Sequence, residues 1–296
     1  MPRQRFEYPP AFGLADAASI EAQARFMRST RVQLILLVVA SGLGALSIVV
    51  GRLELPALGA GVAFLTAAGL RFLILRRRPH ERWYEGRAVA ESLKTSAWRY
   101  AVGGHPFPLD ETNASEAFAA QARELFAAVA SIPPPRDASS LGPSPSMEAL
   151  RVSGLETRRE AYLRDRIEDQ QAWYSTKAAW NRRRAKAWSR AVLGLQLLAA
   201  GGAFLRGFRV IEIDLFGLAG AVVASAAAWL ETRQHASLAS AYGVAADELS
   251  RIRSLLPQIT EEEAWARFVS ESEEAISREH TLWKVTSSER GPVGLA

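Results

Sequence analysis

Residues 32–51, VQLILLVVASGLGALSIVVG, run for twenty positions without a charge. At about 1.5 Å per residue, a helix of that length covers roughly 30 Å, the hydrocarbon thickness of a bilayer. Residues 55–75, LPALGAGVAFLTAAGLRFLIL, form a second run. Its one charge, Arg71, lies a turn from the end, where its stem can reach the headgroups. Only Arg52, Leu53 and Glu54 separate the runs, so together they read as a transmembrane hairpin with spans at about 32–51 and 55–75.

A second pair of apolar runs comes later, at residues 191–205 and 215–230. Both are shorter than the usual span. Trp188 and Trp229 sit near their ends, as interfacial tryptophans do, and Arg190 and Arg206 can snorkel to lengthen the apolar reach. These features favour membrane helices at about 189–206 and 213–230. The competing reading is a buried, alanine-rich helical hairpin in a soluble domain.

The basic residues orient the hairpins. Arg25, Arg28 and Arg31 precede the first, and Arg76, Arg77, Arg78 and Arg82 follow it, whereas its loop holds only Arg52. Arg182, Arg183, Arg184, Lys186 and Arg190 precede the second, and its loop holds Arg206 and Arg209. The positive-inside bias puts both termini in the cytosol of a multi-pass inner-membrane protein. No secretory signal is expected, because the first apolar run is too long for a signal core. The net charge of +5 gathers beside the apolar runs, pointing to headgroups rather than nucleic acid as the partner.

The remaining segments read as helices: 82–101, ended by Gly103-Gly104-His105-Pro106; 111–131; a long helix over 155–188; and two more after the last apolar run. Residues 132–146, IPPPRDASSLGPSPS, read as a linker. The two halves share a plan of entering helix, hairpin, exiting helix and returning helix. This divides the chain into a first unit at 1–131 and a second at 147–296, a tandem repeat with its pseudo-symmetry axis along the membrane normal. The expected fold is therefore an all-α integral membrane protein: two transmembrane helical hairpins, four spans in all, with long helical cytosolic extensions.

On a helical wheel of the segment WYEGRAVAESLKTSAWRY, residues 83–100, one apolar arc holds Trp83, Gly86, Val89, Ala90, Leu93, Ala97 and Tyr100. Arg87, Glu91, Lys94 and Trp98 flank it. Arg87 and Glu91 are four apart and Glu91 and Lys94 three apart, so a chain of ion pairs can form. Either this is a packed helix with solvated charges at its rim, or Trp83, Arg87, Glu91, Lys94 and Trp98 form a stem that contacts another subunit or passes a gating signal. Within the spans, small residues recur four apart, as at Ala40 and Gly44, Gly59 and Ala63, and Gly217 and Ala221, the spacing that lets helix backbones approach closely. Gly44 and Ser47, with the polar Gln196 and Ser225, are the candidates for span packing or for lining a watery path.

Enzyme chemistry finds no support. There is no cysteine, which removes disulfides, thiolate nucleophiles and cysteine metal sites. The four histidines, His80, His105, His235 and His280, show no metal-ligand spacing. His80 and His235, just beyond the apolar runs, are expected to be solvated. No phosphate-cradling loop or nucleophile elbow is present, and no cofactor is expected. Glu261, Glu262 and Glu263 follow Thr260, a natural N-cap, and suit a helix N-terminus. No acid lies within the four apolar runs, 32–51, 55–75, 191–205 and 215–230, which argues against a proton-coupled pump.

A hairpin, the exit helix WYEGRAVAESLKTSAWRY and the later FVSESEEAISREHTLW together resemble the SLATT domain, the SMODS and SLOG-associated two-transmembrane effector. The chain resembles two such units in tandem. The second has Tyr242, Asp247, Glu248 and Leu249 but no equivalent of Lys94. The resemblance implies a bacterial or archaeal defence effector that answers a nucleotide signal or a partner sensor and damages the membrane as a pore or channel. Four spans with so few polar residues do not readily enclose a pore, so a homo-oligomer is expected. A non-conducting membrane scaffold that recruits partners through its cytosolic helices is the alternative, and a transporter the third reading.

Overall fold

The computed structural model describes residues 6–46, 48–50, 52–209 and 216–288. Ser47, Gly51, residues 210–215, which include the start of the span expected at 213–230, and the side chain of His280 lie outside the described residues. The chain is about 83% helical. Helix α1 (Pro10–Gly44) runs unbroken for 35 residues, more than a bilayer needs. A two-rung ladder, Val49 opposite Glu54 and Val50 opposite Leu53, turns the chain into α2 (Leu55–Arg77). There follow α3 (Pro79–Val102), α4 (Ala114–Ala127), a 3-10 turn at Ala138–Leu141, α5 (Pro145–Arg151) and α6 (Leu155–Tyr162). A π-helical turn, Leu163–Glu168, joins α6 to α7 (Asp169–Gly207). The chain ends with α8 (Phe216–Arg233), α9 (His235–Leu255) and α10 (Glu262–Ser288).

Two exit helices break in the same way. Arg78 (φ 42°) separates α2 from α3, and Gln234 (φ 48°) separates α8 from α9. Each donates its backbone N–H to the carbonyl four residues back, Ile74 at 3.0 Å and Leu230 at 3.1 Å. A left-handed residue with a Cβ costs on the order of 1 kcal/mol, which the rest of the fold must offset at each bend.

The contacts divide the chain into two compact units. One comprises Met1–Ala22, His80–Ala178 and Ser240–Ala296; the other comprises Gln23–Pro79 and Ala179–Ala239. Each takes residues from both halves of the sequence, so the tandem plan is a repeat in sequence while the compact units are interleaved.

The first unit has an ordinary apolar core. Trp98 and Trp265 are its largest buried side chains. Phe6 stacks on Trp98 at 4.0 Å, and Tyr162 meets the edges of both Trp98 and Trp265. Fully burying each such ring contributes roughly 1.5–3 kcal/mol. Gly103 (φ 75°) ends α3, and Gly104 N–H reaches back to Arg99 O at 2.7 Å. A Cβ on Gly104 would lie 2.5 Å from Val269 Cγ1, so α10 can pass only over glycine here. The stretch 132–146 is not a loose linker. Ile132 and Leu141 are buried beside Val89, Leu93 and Phe126. Ser144 caps α5 through Met147 N–H at 3.3 Å and donates to Glu7 O at 2.6 Å. Its prolines and serines make turns and caps around two anchoring apolar side chains. The cap of α10 also falls one residue later than expected, since the helix begins at Glu262 and Glu261, not Thr260, precedes its first turn.

The second unit is the reverse. Leu65, Phe72, Leu197, Leu198 and Phe204 are all exposed, Leu198 at 74%. Three helical stretches are long and apolar enough to cross a membrane among the described residues: Pro10–Gly44, Leu55–Val102 and Leu155–Gly207. The apolar window of the last is 0% buried, so α7 is not part of a buried soluble hairpin. Within this unit α1 packs on α2, with Leu43 Cδ1 3.2 Å from a Cβ placed on Gly59. It also packs on α8, where Ser41 Oγ donates to Gly217 O at 3.1 Å.

Candidate functional site

The segment 83–100 lies within α3 in the first unit. Ser19 Oγ donates to Trp83 O at 3.2 Å, and a Cβ on Gly86 would lie 3.0 Å from Ser19, so α1 and α3 touch backbone to backbone. The ion-pair chain forms: Arg87 to Glu91 at 3.2 Å and Lys94 to Glu91 at 3.1 Å. It is not a solvated rim. Glu91 is 14% and Lys94 16% exposed, Arg87 36%, and the Lys94 ammonium lies 5.7 Å from the Phe12 ring centroid. Trp98 departs from its expected place on the flank. It is 1% exposed and donates Nε1–H to Tyr8 Oη at 3.0 Å. The N-terminal segment covers the flank of α3 that the wheel left open.

Around Trp98 lies a charged network that the sequence did not reveal. The π-helical turn presents Arg166, 1% exposed, to Glu273 of α10, 0% exposed. The fork is bidentate: Nε to Oε1 at 2.8 Å and Nη2 to Oε2 at 2.6 Å. Tyr162 Oη adds a third bond to Glu273 at 3.0 Å. Burial by itself works against the Arg166 charge, but the attraction and hydrogen bonds of Glu273 outweigh it and the pKa is raised. Burial and the Glu273 charge push the Tyr162 phenol well up. Burial also raises Tyr8, partly offset by Arg166. Among the described residues Arg166 Nη1 has no hydrogen-bond partner.

Two more buried arginines extend the network. Arg158 donates to Val102 O at 2.8 Å and pairs with Glu262, so this glutamate serves an ion pair as well as a helix start. Arg151 donates to the carbonyls of Tyr100, Phe107 and Pro108 at 2.6–2.9 Å. Arginines 151, 158 and 166 thus tie the segment ahead of α7 to the end of α3 and to α10. A π-turn in such a place often marks a functional segment.

In the second unit, Gly44 is exposed with nothing within 4 Å of an added Cβ, so it makes no close helix contact among the described residues. Gly42, 3.5 Å from Leu218 Cδ1, and Gly59 take that part. Gln196 is exposed and Ser225 half-buried. His235 is not solvated. It is 3% exposed, and its Nδ1 lies 2.8 Å from Asn181 Oδ1. Among the described residues no three His, Asp or Glu side chains gather as a metal site.

Residues 9–159 match the family model described as SMODS and SLOG-associating 2TM effector domain 3, and residues 162–283 match the model for SMODS and SLOG-associating 2TM effector domain 1. The chain belongs to the SLATT family. It carries two SLATT domains in tandem, of different subtypes, and their boundary falls just before the π-turn. SLATT domains are membrane-associated two-transmembrane effectors of prokaryotic conflict systems. No curated protein and no solved structure matches the chain. The Arg166–Glu273 pair lies within the second SLATT domain, whereas Arg158–Glu262 joins the first to the second. Each partner stands about a hundred residues away, beyond the reach of spacing rules. Only the odd placement of Arg158 and Arg166 in a helix feeding an apolar run hinted at it.

Proposed function

We propose that this tandem SLATT protein is a membrane effector of a prokaryotic defence system. It inserts all four apolar helices, keeps both termini in the cytosol at the inner membrane, and forms a pore as a homo-oligomer. Enzyme chemistry plays no part. The observation that carries this reading is the exposed apolar surface of the second unit, above all α7, whose window is wholly unburied. Such surface is stable only against lipid or other subunits. Gly44, where an added Cβ would meet nothing among the described residues, would then serve packing between subunits. Gln196, exposed on α7, and Ser225 would face the conducting path.

Gating would begin in the first unit. Helices α1 and α7 each run without a break between residues of the two units. A nucleotide signal or partner sensor that loosens the Arg166–Glu273 lock, or the packing of Trp83, Arg87, Glu91, Lys94 and Trp98, would act directly on two membrane helices. The bends at Arg78 and Gln234 would leave the other two free to adjust.

The test is ion leakage from liposomes holding only this protein, with single cysteines reporting topology on a cysteine-free background. A cysteine at Leu53 should react with an impermeant reagent outside cells, and one at Ser140 should not. Labelling of Ser140 from outside would overturn the orientation. Tight liposomes under every condition, including with Glu273→Ala, would replace the pore by a non-conducting scaffold.

A further inference from the structure

Three guanidiniums gather in the second unit. The Arg31 and Arg233 guanidinium carbons lie 5.1 and 5.7 Å from the centroid of one indole, Trp229. Arg184 lies 5.3 Å from the Trp180 ring, and that ring meets His235 edge-on at 5.4 Å. The cluster thus joins α1, α7 and α8. Among the described residues none of the three arginines has a carboxylate partner. Burial, then the charges of Arg31 and Arg184, lower the Arg233 pKa, and the same sequence of burial, Arg233 and Arg184 lowers that of His235. Indole faces attract cations but do not neutralise them. Arg233 is half-buried, while Arg31 and Arg184 are exposed. Like charges drawn together are at their most stable with an anion between them, and the guanidinium fork fits phosphate oxygens in pairs.

We propose that Arg31, Arg184 and Arg233, framed by Trp229 and Trp180, bind the phosphate of an anionic phospholipid headgroup. Lipid is the source because of where these residues stand. Arg31 immediately precedes the first apolar run, and Trp229 and Arg233 bracket the end of the last. Tryptophan and arginine at the ends of spans sit at headgroup level, and the basic side faces the anionic cytosolic leaflet. The proposal rests on the reading that α8 crosses the membrane. It adds a lipid that fastens the first and last spans together at that face.

The test reconstitutes the full chain in phosphatidylcholine nanodiscs containing equal mole fractions of brominated phosphatidylglycerol or brominated phosphatidylcholine, with tryptophan emission as the readout. Brominated phosphatidylglycerol should quench more strongly, and Trp229→Phe should remove the excess. Arg31→Gln with Arg233→Gln should also remove it, while the paired lysine variant keeps part of it. Equal quenching by the two lipids in incorporated wild-type protein would overturn the proposal, whether or not the glutamine variant folds. Inorganic phosphate or AMP added to purely phosphatidylcholine discs should change nothing. A saturable, arginine-dependent response to either would assign the site to a free phosphate ligand and overturn the lipid. Failure of the chain to enter discs at all would instead overturn the membrane-spanning reading beneath it.

Discussion

Two charged arrangements in the first unit use the same residue types and differ in burial. Arg166 and Glu273 are 1% and 0% exposed and meet through a bidentate fork between segments more than a hundred residues apart. Arg87, Glu91 and Lys94 lie within one helix at i,i+3 and i,i+4 spacing, with Glu91 and Lys94 mostly covered and Arg87 at the edge. The local chain forms wherever α3 forms, so it says little about tertiary structure. The distant pair forms only when α10 is seated on the π-turn. It therefore reports whether the unit is assembled, and it is the better candidate for a lock that a signal opens.

The largest expected effect breaks that lock. Glu273→Ala leaves Arg166 buried, charged and unpaired and strips Tyr162 of its acceptor, which should destabilise the protein by about 3–5 kcal/mol. Thermal unfolding in detergent, followed by tryptophan emission, should show the loss. Replacing the pair together, Arg166→Met with Glu273→Leu, should restore much of it, because well-packed apolar side chains often match a buried pair. If both variants lose the same stability, packing at α10 rather than the ion pair holds the unit together.

Glu91→Ala comes next. Its carboxylate joins Arg87 and Lys94, and covering has removed much of the solvent that would soften the loss. Charged hydrogen bonds in such surroundings contribute about 1.5–3 kcal/mol, and the exposed Arg87 end lowers the expectation to about 1–2 kcal/mol. High salt should shrink the difference from wild type, as it should not for Glu273→Ala. A loss of liposome leakage larger than the stability change would assign Glu91 to gating as well as to packing.

The same contrast explains what was legible in the sequence. The helices and the long apolar runs were, because period, length, glycine stops and basic flanks are local signals. The Arg87–Glu91–Lys94 chain was legible for the same reason. Trp98 was misplaced because a wheel assumes one buried face, and α3 is covered on a second by Phe6 and Tyr8, which arrive from the N-terminus. The stretch 132–146 looked like a linker because proline and serine dominate it, yet two apolar side chains, Ile132 and Leu141, suffice to anchor it. The Arg166–Glu273 pair and the mixing of both halves in each compact unit depend on which distant segments meet, and no local pattern encodes that.

His235 carries a smaller effect with a definite sign. Burial, followed by Arg233 and Arg184, lowers its pKa from the ordinary value near 6.5, while Asn181 and Trp180 contact it without charge. The folded state thus favours neutral imidazole. Its contribution is present above the unfolded pKa and is lost as pH falls below about 6.5. Melting temperatures should therefore decline between about pH 7 and pH 5, and His235→Gln should flatten that decline. An unchanged slope in the variant would show that other groups set the acid limb.

The smallest effect calibrates the others. Arg251 and Glu248 on α9 form an i,i+3 pair at 3.1 Å, with side chains 74% and 39% exposed. Its geometry matches the Lys94–Glu91 contact, also 3.1 Å at i,i+3, so burial is the main variable that separates them. Solvent and side-chain entropy leave such a surface pair about 0.2–0.5 kcal/mol. Arg251→Ala should thus lower stability by no more than that, and about 0.5 M salt should erase the difference, since the screening length is then only a few ångströms. Three pairs would then rank by burial alone, from Glu273 through Glu91 to Arg251. A double-mutant cycle of Arg251 and Glu248 that returned a coupling as large as that of Glu91 and Lys94 would break the ranking. It would show that helix position rather than desolvation sets the strength of these charges, and the buried pair would lose its claim to be the lock.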